Sequence, residues 1–178
     1  VLRHAEELGH ALRLLFERGI DAEVLKINHG DFATNGDRDD VIEEITGIVN
    51  GTTNYMMSKM TKEGLEFDDV LKDAQAKGYA EKDPTADIEG HDACRKIAIL
   101  TSLVCGRQVD YEDIPTEGIS HITATDIKYA NKMGRTIKLL ATSKKVGDSY
   151  AARVAPFLLS PEHPLYNVHD VFNAIFVH

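Results

Sequence analysis

The hydrophobic pattern of the chain predicts helices and strands in an irregular order. Residues 1–18 have apolar residues at helical spacing and end before Gly19, and residues 22–27 have the composition of a short strand. The stretch 28–40 is rich in Asn, Gly and Asp, which is typical of a linker. We therefore predict an unassigned helix–strand segment with a linker over residues 1–40, followed by a second unit over 41–178.

The second unit mixes both kinds of element. β-branched and alternating apolar residues predict four strands, at residues 41–49, 136–143, 149–159 and 168–177. Helical composition and stop signals predict four helices, at residues 55–61, 68–77, 90–105 and 125–133. Thr52 or Thr53 is expected to cap the first of these helices. Because strands and helices do not alternate strictly, the pattern favours an α+β fold.

Composition and charge narrow the class of protein. The 178 residues are 43% hydrophobic and 28% charged, which suits a globular domain with a buried core. A formal net charge of −9 argues against nucleic acid or an anionic membrane as a partner. No apolar run is long enough to span a bilayer. We therefore expect no nucleic-acid partner and no membrane partner.

The two cysteines, Cys94 and Cys105, fall in one predicted helix. A helix of that length separates their α-carbons by about 16 Å, which is too far for a disulfide. They are interpreted as buried thiols in a reducing compartment, and a cytoplasmic location is predicted. The chain begins with Val1 and ends within an apolar run, so it is also interpreted as a piece of a longer polypeptide.

The most informative segment is an acidic stretch that leads into a helix. Five carboxylates lie within twelve residues of one another, at Glu81, Asp83, Asp87, Glu89 and Asp92. Lys96 follows Asp92 by four residues, so the two share a helix face. This pattern predicts a polar pocket for a small cationic or zwitterionic molecule, with an acid–base group beside it. A solvated acidic loop and a surface ion pair worth about 0.3–0.5 kcal/mol remain the simpler alternatives.

Apolar stripes on the same helix favour the pocket over the surface pair. One stripe continues from Lys96 to Ile99 and Leu103, and an adjoining stripe holds Ala93, Ile97, Leu100 and Val104. A helix that is apolar on two adjoining stripes is substantially buried, which would place the pair at the edge of a core or in a cleft. Neighbouring carboxylates favour the ammonium form of a lysine, so a proton-donor role is expected more readily than a base role.

Two kinds of site receive little support from the sequence. The carboxylates lack the regular alternation of a calcium loop, so no metal site is predicted. The chain contains neither a Walker loop nor a G-x-G-x-x-G motif, so it offers no nucleotide-binding motif of its own. The Gly-Thr-Thr turn within residues 47–55 has amides able to hold an anion or polar ligand, although a capped helix start explains it equally well.

Several long motifs occur together in one order. They are GIVNGTTNY (47–55), GYAEKDPTADIEGHDACRKIAIL (78–100), a GI…DI..A…G..IKLLA pattern (118–141) and LYNVHDVFNAIFVH (165–178). This combination closely resembles the homoserine dehydrogenase family, which interconverts L-homoserine and L-aspartate 4-semialdehyde with NAD(P). The resemblance runs from about Val41 to His178. It implies a mixed, largely antiparallel sheet covered by helices, in a catalytic and dimerisation domain truncated at its C-terminus.

The resemblance also implies roles for single residues. Glu81 and Asp92 match carboxylates that hold the amino group of homoserine, and Lys96 matches the proton donor to the carbonyl oxygen. Further substrate contacts are expected at Asp87, Thr52 and Tyr79. Contacts with the nicotinamide cofactor are expected at Gly78, Asn50 and Gly51.

The chain departs from the family in what it lacks. Its sequence has no match to the family's nucleotide-binding domain, to the second active-site lysine or to the loop that binds a monovalent cation. We therefore expect NAD(P) to be bound mainly by a domain absent from this chain. The resemblance implies an oxidoreductase of threonine, methionine and isoleucine biosynthesis that forms a homodimer. The alternative is a non-catalytic substrate-binding or dimerisation module that has kept the pocket.

Overall fold

The structure is a computed structural model, and it describes residues 42–178. The helix, strand and linker predicted over residues 1–40 lie outside the described residues. The remainder forms four strands and five α-helices, which we number in chain order. They are β1 (Glu44–Ile48), α1 (Gly51–Glu63), α2 (Phe67–Ala76), α3 (Thr85–Ile88), α4 (His91–Cys105), α5 (Ala124–Lys132), β2 (Thr136–Val146), β3 (Ser149–Leu159) and β4 (Ala174–Val177).

The strands form one sheet in the order β3-β2-β1-β4, and every neighbouring pair is antiparallel. β2 and β3 make a long hairpin whose two-residue turn contains Gly147 at φ 60°, a left-handed conformation that glycine adopts without strain. β1 lies in the middle, where Ile45 faces Ser143 of β2 on one side and Val177 of β4 on the other. The expected α+β fold with a largely antiparallel sheet is confirmed.

Alternate residues of the strands supply two apolar cores on opposite faces of the sheet. The larger core packs the sheet against α1, α2, α4 and α5, and it includes Ile45 and Leu139. The smaller core, which includes Ile48 and Leu140, lies under the connection between β3 and β4. α1 follows directly after β1, and α4 packs on β2 and β3. The sheet therefore positions both helices.

Element boundaries differ from the predictions where the backbone is bound by side chains. α1 begins at Gly51, and its cap is Asn50 rather than Thr52 or Thr53, because the Asn50 side-chain oxygen accepts a hydrogen bond from the Thr53 amide at 2.9 Å. The first strand is shorter than the predicted 41–49. The predicted strand 168–177 was also too long, because carbonyls of residues 168 and 172 bind side chains instead of a neighbouring strand. The short helix α3 had not been predicted.

The cysteines lie as expected within one helix, and both are free thiols. Cys94 is buried and Cys105 is half-buried. α4 ends before Gly106, which has φ 66° and closes the helix as predicted. Among residues 42–178, the helices are all too short or too polar to traverse a lipid bilayer.

Candidate active site

The side chain of Asn50 joins the start of α1 to two carboxylates. Its oxygen caps the helix, so its amide nitrogen points the other way and donates both hydrogens. One hydrogen bond goes to Asp87 Oδ1 at 2.7 Å and the other to Asp92 Oδ2 at 3.0 Å. A single amide therefore ties the end of β1 to α3 and to the first turn of α4.

Lys96 completes this cluster from the second turn of α4. Its Nζ lies 2.7 Å from Asp92 Oδ2 and donates to the Val49 carbonyl oxygen at 2.8 Å. The side chain of Lys96 is 24% exposed, so the pair lies at the edge of the core. An ammonium has three N–H groups, and within residues 42–178 these two oxygens are its acceptors. The third N–H has no acceptor among these residues.

Burial and like charge act on Asp87. Burial raises the pKa of its carboxyl above the usual value, and the charges of Asp92 and Glu81 raise it further. The hydrogen bond from Asn50 and the charge of Lys96 act in the opposite direction. Three carboxylates around one lysine leave a surplus of negative charge, which suits a ligand that carries an ammonium group.

The Gly78–Tyr79 turn lies against the beginning of α1. Thr52 Oγ1 donates to the Tyr79 carbonyl at 2.6 Å, and the Tyr79 ring packs on Tyr55 with 4.9 Å between ring centroids. Gly78 has φ 76°, and no atom lies within 4 Å of the place where a β-carbon would stand. The space beside the Gly78 backbone is therefore open.

A second polar network supports this turn. The Tyr55 hydroxyl donates to Asp73 and accepts from Lys77 Nζ at 2.7 Å, while Lys59 Nζ lies 3.1 Å from Asp73. The hydrogen bonds from Tyr55 and both lysines lower the pKa of Asp73 to about 2. This network was not predicted, although Asp73 and Lys77 stand at the four-residue spacing of a helix pair.

A family model described as homoserine dehydrogenase matches residues 31–178. The chain belongs to the homoserine dehydrogenase family. A homoserine dehydrogenase of Synechocystis is 44% identical over 172 residues, covering 94% of this chain and 39% of the relative. One of Bacillus subtilis is 47% identical over 139 residues, covering 78% of this chain and 32% of the relative. The chain therefore spans about two fifths or less of the length of these curated relatives.

Solved structures agree with this membership of the homoserine dehydrogenase family. The crystal structure of the S. aureus homoserine dehydrogenase at pH 6.0 has a TM-score of 0.76 and 40% identity, covering 78% of this chain and 36% of that one. A hyperthermophilic archaeal homoserine dehydrogenase in complex with NADPH has a TM-score of 0.63 and 31% identity, covering 76% of this chain and 37% of that one.

The structure brings some of the residues singled out from the sequence into one cluster. Four of them are linked by direct contacts, namely Asn50, Asp87, Asp92 and Lys96. Thr52 reaches Tyr79, and Gly51 is the first residue of α1. Glu81 is exposed and acts on the cluster through its charge alone. The Val49 carbonyl was missed, because a backbone acceptor leaves no signal in residue types.

The burial of α4 differs from the prediction at Ile99. Ile99 was placed on a buried stripe below Lys96, but its side chain is 52% exposed. Ala93, Ile97 and Leu100 on the adjoining stripe are buried as predicted. α4 therefore buries one stripe, and the Asp92–Lys96 pair stands at its margin. Within residues 42–178, no group of three or more His, Cys, Asp or Glu side chains is arranged to hold a metal ion.

Asp87→Asn is expected to raise the unfolding temperature of the chain near pH 7. The folded carboxyl holds its proton more tightly than the unfolded one, so its ionisation lowers stability as the pH rises above the usual 3.8. Asparagine removes that charge and can still accept from Asn50. Thermal unfolding from pH 3 to pH 8 measures the effect, which should vanish at low pH.

Asp83→Asn is the matched control for this comparison. Hydrogen bonds from Thr85 lower the pKa of the Asp83 carboxyl, so its ionised form contributes stability at pH 7 that is lost as the pH falls. This variant should therefore lower the unfolding temperature at pH 7. A decrease with Asp87→Asn of the same size would contradict the assignment of Asp87 as a destabilising charge.

Proposed function

We propose that residues 41–178 form the substrate-binding and acid–base part of a homoserine dehydrogenase. In this proposal the full-length protein interconverts L-homoserine and L-aspartate 4-semialdehyde with NAD(P), in threonine, methionine and isoleucine biosynthesis. The observation that carries it is Lys96, held by Asp92 and the Val49 carbonyl beside a further, half-buried acid, Asp87. The proposal is supported by the family match over residues 31–178.

Lys96 is the proposed proton donor. During reduction of the aldehyde, negative charge develops on the carbonyl oxygen, and a positioned ammonium both stabilises that charge and supplies the proton. Its two acceptors, Asp92 and Val49, fix the direction of the third N–H. In the oxidation of homoserine Lys96 must first lose a proton to solvent, and the neutral amine then takes the proton of the hydroxyl group as hydride leaves the carbon for the dinucleotide.

The carboxylates are proposed to hold the amino group of the substrate. Asp92 pairs with Lys96, the charges of Lys96 and Glu81 both act on Asp87, and the three carboxylates outnumber the lysine in charge. An ammonium ligand would neutralise this excess negative charge. It would also relieve the repulsion from Asp92 and Glu81, which adds to the effect of burial in raising the pKa of Asp87. Thr52 and Tyr79, joined by a hydrogen bond, are proposed to border the substrate on the side of α1.

A nicotinamide dinucleotide supplies the hydride donor and acceptor when it is bound. Gly78, Asn50 and Gly51 are proposed to contact its nicotinamide end, where the Gly78 backbone is open. The rest of the dinucleotide is proposed to lie on a part of the protein outside this chain. The relative with NADPH supports a dinucleotide of this kind. A cytoplasmic homodimer is proposed on the family resemblance.

Substrate discrimination tests the proposal on the full-length protein. Reduction of NAD and NADP is followed with L-homoserine and with 4-hydroxybutanoate, which lacks only the amino group. We expect kcat/KM to fall by about 100-fold or more with the deaminated compound, because it leaves the carboxylates without their cation. Equal use of both alcohols would contradict the assignment of the acids. Binding of homoserine without reduction of either dinucleotide would favour a non-catalytic module.

A further inference from the structure

Lys138 is a lysine buried in the sheet. It lies on β2, is 1% exposed, and its Nζ contacts three neutral oxygens. These are the Val168 carbonyl at 2.5 Å, Asn54 Oδ1 at 3.0 Å and Ser58 Oγ at 3.4 Å. The three N–H groups of the ammonium are thus matched by three acceptors, and no carboxylate touches it among the described residues.

This arrangement is unusual for a core position. Burial lowers the pKa of Lys138 to about 8, the charge of Asp170 opposes this shift, and the charge of Lys62 adds to it. Burial lowers the pKa of His169, and the charge of Lys138 lowers it further. A methionine would fill similar space without the cost of burying a charge. Lys138 therefore differs from a methionine at this position in the hydrogen bonds that its ammonium group donates.

Those hydrogen bonds hold residues 168–172, which we call the 168–172 segment. Asn54 Nδ2 donates to the carbonyls of Val168 at 3.3 Å and Phe172 at 2.9 Å. Ser58 Oγ accepts from the Asp170 amide at 3.0 Å. Lys138 of β2 and the side chains of Asn54 and Ser58 of α1 thus bind the backbone of this segment together. We call these three side chains the clamp.

The 168–172 segment lies in close contact with Gly51, the first residue of α1. A β-carbon at Gly51 would stand 2.7 Å from the Val171 carbonyl oxygen, so the two backbones are in close contact. Gly51 follows Asn50, whose side chain holds Asp87 and Asp92. Contacts therefore run without a break from Lys138, through the segment and the helix start, to the carboxylate that orients Lys96.

We propose that Lys138 is a positioning residue for the active site, acting through the 168–172 segment on the Asn50 cap. This inference rests on the proposed function, because its main readout is the turnover of homoserine. Removing the buried ammonium should loosen the segment, release the helix start and misplace the Asp92–Lys96 pair. Small displacements of catalytic groups lower rates strongly.

Four variants of the full-length protein test this chain of contacts. Lys138→Met removes the donors at similar volume, and Ser58→Ala removes one partner of the clamp. Leu140→Val is the matched control for core stability, because Leu140 is a buried residue of the same strand and belongs to the smaller core. Lys62→Met is the second control. It removes an exposed ion pair between Lys62 and the Asp170 side chain and leaves the hydrogen bonds of the clamp in place.

We expect the loss of kcat among the four variants not to correlate with the decrease in their unfolding temperatures. Lys138→Met should lower kcat by about tenfold or more and Ser58→Ala by about threefold, whereas both controls should stay within about twofold. Hydrogen exchange followed by mass spectrometry provides a second readout. The peptide over residues 50–55 should exchange faster in Lys138→Met than in Leu140→Val at the same distance below the unfolding temperature.

Three outcomes separate this inference from its alternatives. If Lys138→Met and Leu140→Val lose kcat equally at matched unfolding temperatures, the lysine is only a core residue and the inference is wrong. If Lys138→Met does not fold, Ser58→Ala decides, and a kcat equal to that of Lys62→Met overturns the inference. If the wild-type protein does not oxidise homoserine, the proposed function fails, and the exchange of residues 50–55 still decides whether Lys138 holds the helix start.

Discussion

Replacing Lys96 with alanine in the full-length protein is expected to lower kcat for homoserine oxidation by about 10²–10⁴-fold. The substitution removes the group proposed to exchange a proton with the substrate oxygen, and it leaves Asp92 without its 2.7 Å partner. The homoserine-dependent reduction of NAD(P) measures the effect directly. Folding should be retained, because the Lys96 side chain lies at the margin of the core and is partly exposed.

Lys72→Ala provides the matched control for this experiment. Lys72 is also a helical lysine paired with an acid on its own helix, but its side chain is 76% exposed on α2. Its kcat should equal that of the wild type, because an exposed pair contributes little. A loss below about tenfold with Lys96→Ala would move the proton-donor role to another residue while leaving the family membership intact.

Gly118→Ala is expected to destabilise the chain by about 3 kcal/mol or more and to disturb the acidic segment. A β-carbon at Gly118 would stand 2.1 Å from the Ile88 carbonyl oxygen and 2.4 Å from the α-carbon of Glu89. Both neighbours are backbone atoms, so no side chain can turn away to make room. The Ile119 amide also donates to the Ile88 carbonyl at 2.7 Å, which holds the two segments together.

Thermal unfolding and kcat/KM for homoserine would both report this change, because Ile88 and Glu89 lie between Asp87 and Asp92. A loss of 3 kcal/mol corresponds to an unfolding temperature lower by about 6–12 °C in a domain of this size. Gly134→Ala is the control, since Gly134 has φ 65° but no atom near its β-carbon position. Gly134→Ala should lower the free energy of unfolding by only about 1 kcal/mol, because it strains the backbone without a steric clash. Equal effects of the two substitutions would contradict the steric argument.

The elements that the sequence predicted well are those with local signals. α4 has an apolar stripe at helical spacing and a glycine stop at Gly106, and the structure places it at His91–Cys105. The Asp92–Lys96 pair was predicted for the same reason, since a spacing of four residues is enough to place both on one face. The resemblance supplied the remaining residue roles, which stay proposals.

What the sequence did not reveal depends on contacts between distant parts of the chain. Asn50, Thr52 and Thr53 are all good helix caps, and the choice among them depends on where β1 ends, which its pairing with β2 and β4 decides. Lys138 falls in the alternating pattern of a strand, so nothing local distinguishes it from a lysine facing solvent. Its partners on α1 lie about eighty residues earlier in the sequence, at separations of 80 and 84.

The position of β1 in the sheet has a consequence for how the chain folds. β1 is the first of the four described strands in sequence, yet it is paired on both sides, and its partners β2 and β4 come after all five helices. During synthesis, the segment that carries Asn50, Asp92 and Lys96 therefore emerges while both edges of its strand are still unpaired. Such non-local pairing slows folding and exposes strand edges to aggregation. One edge of β1, the strand that leads into Asn50, thus stays unpaired until β4 has been synthesised.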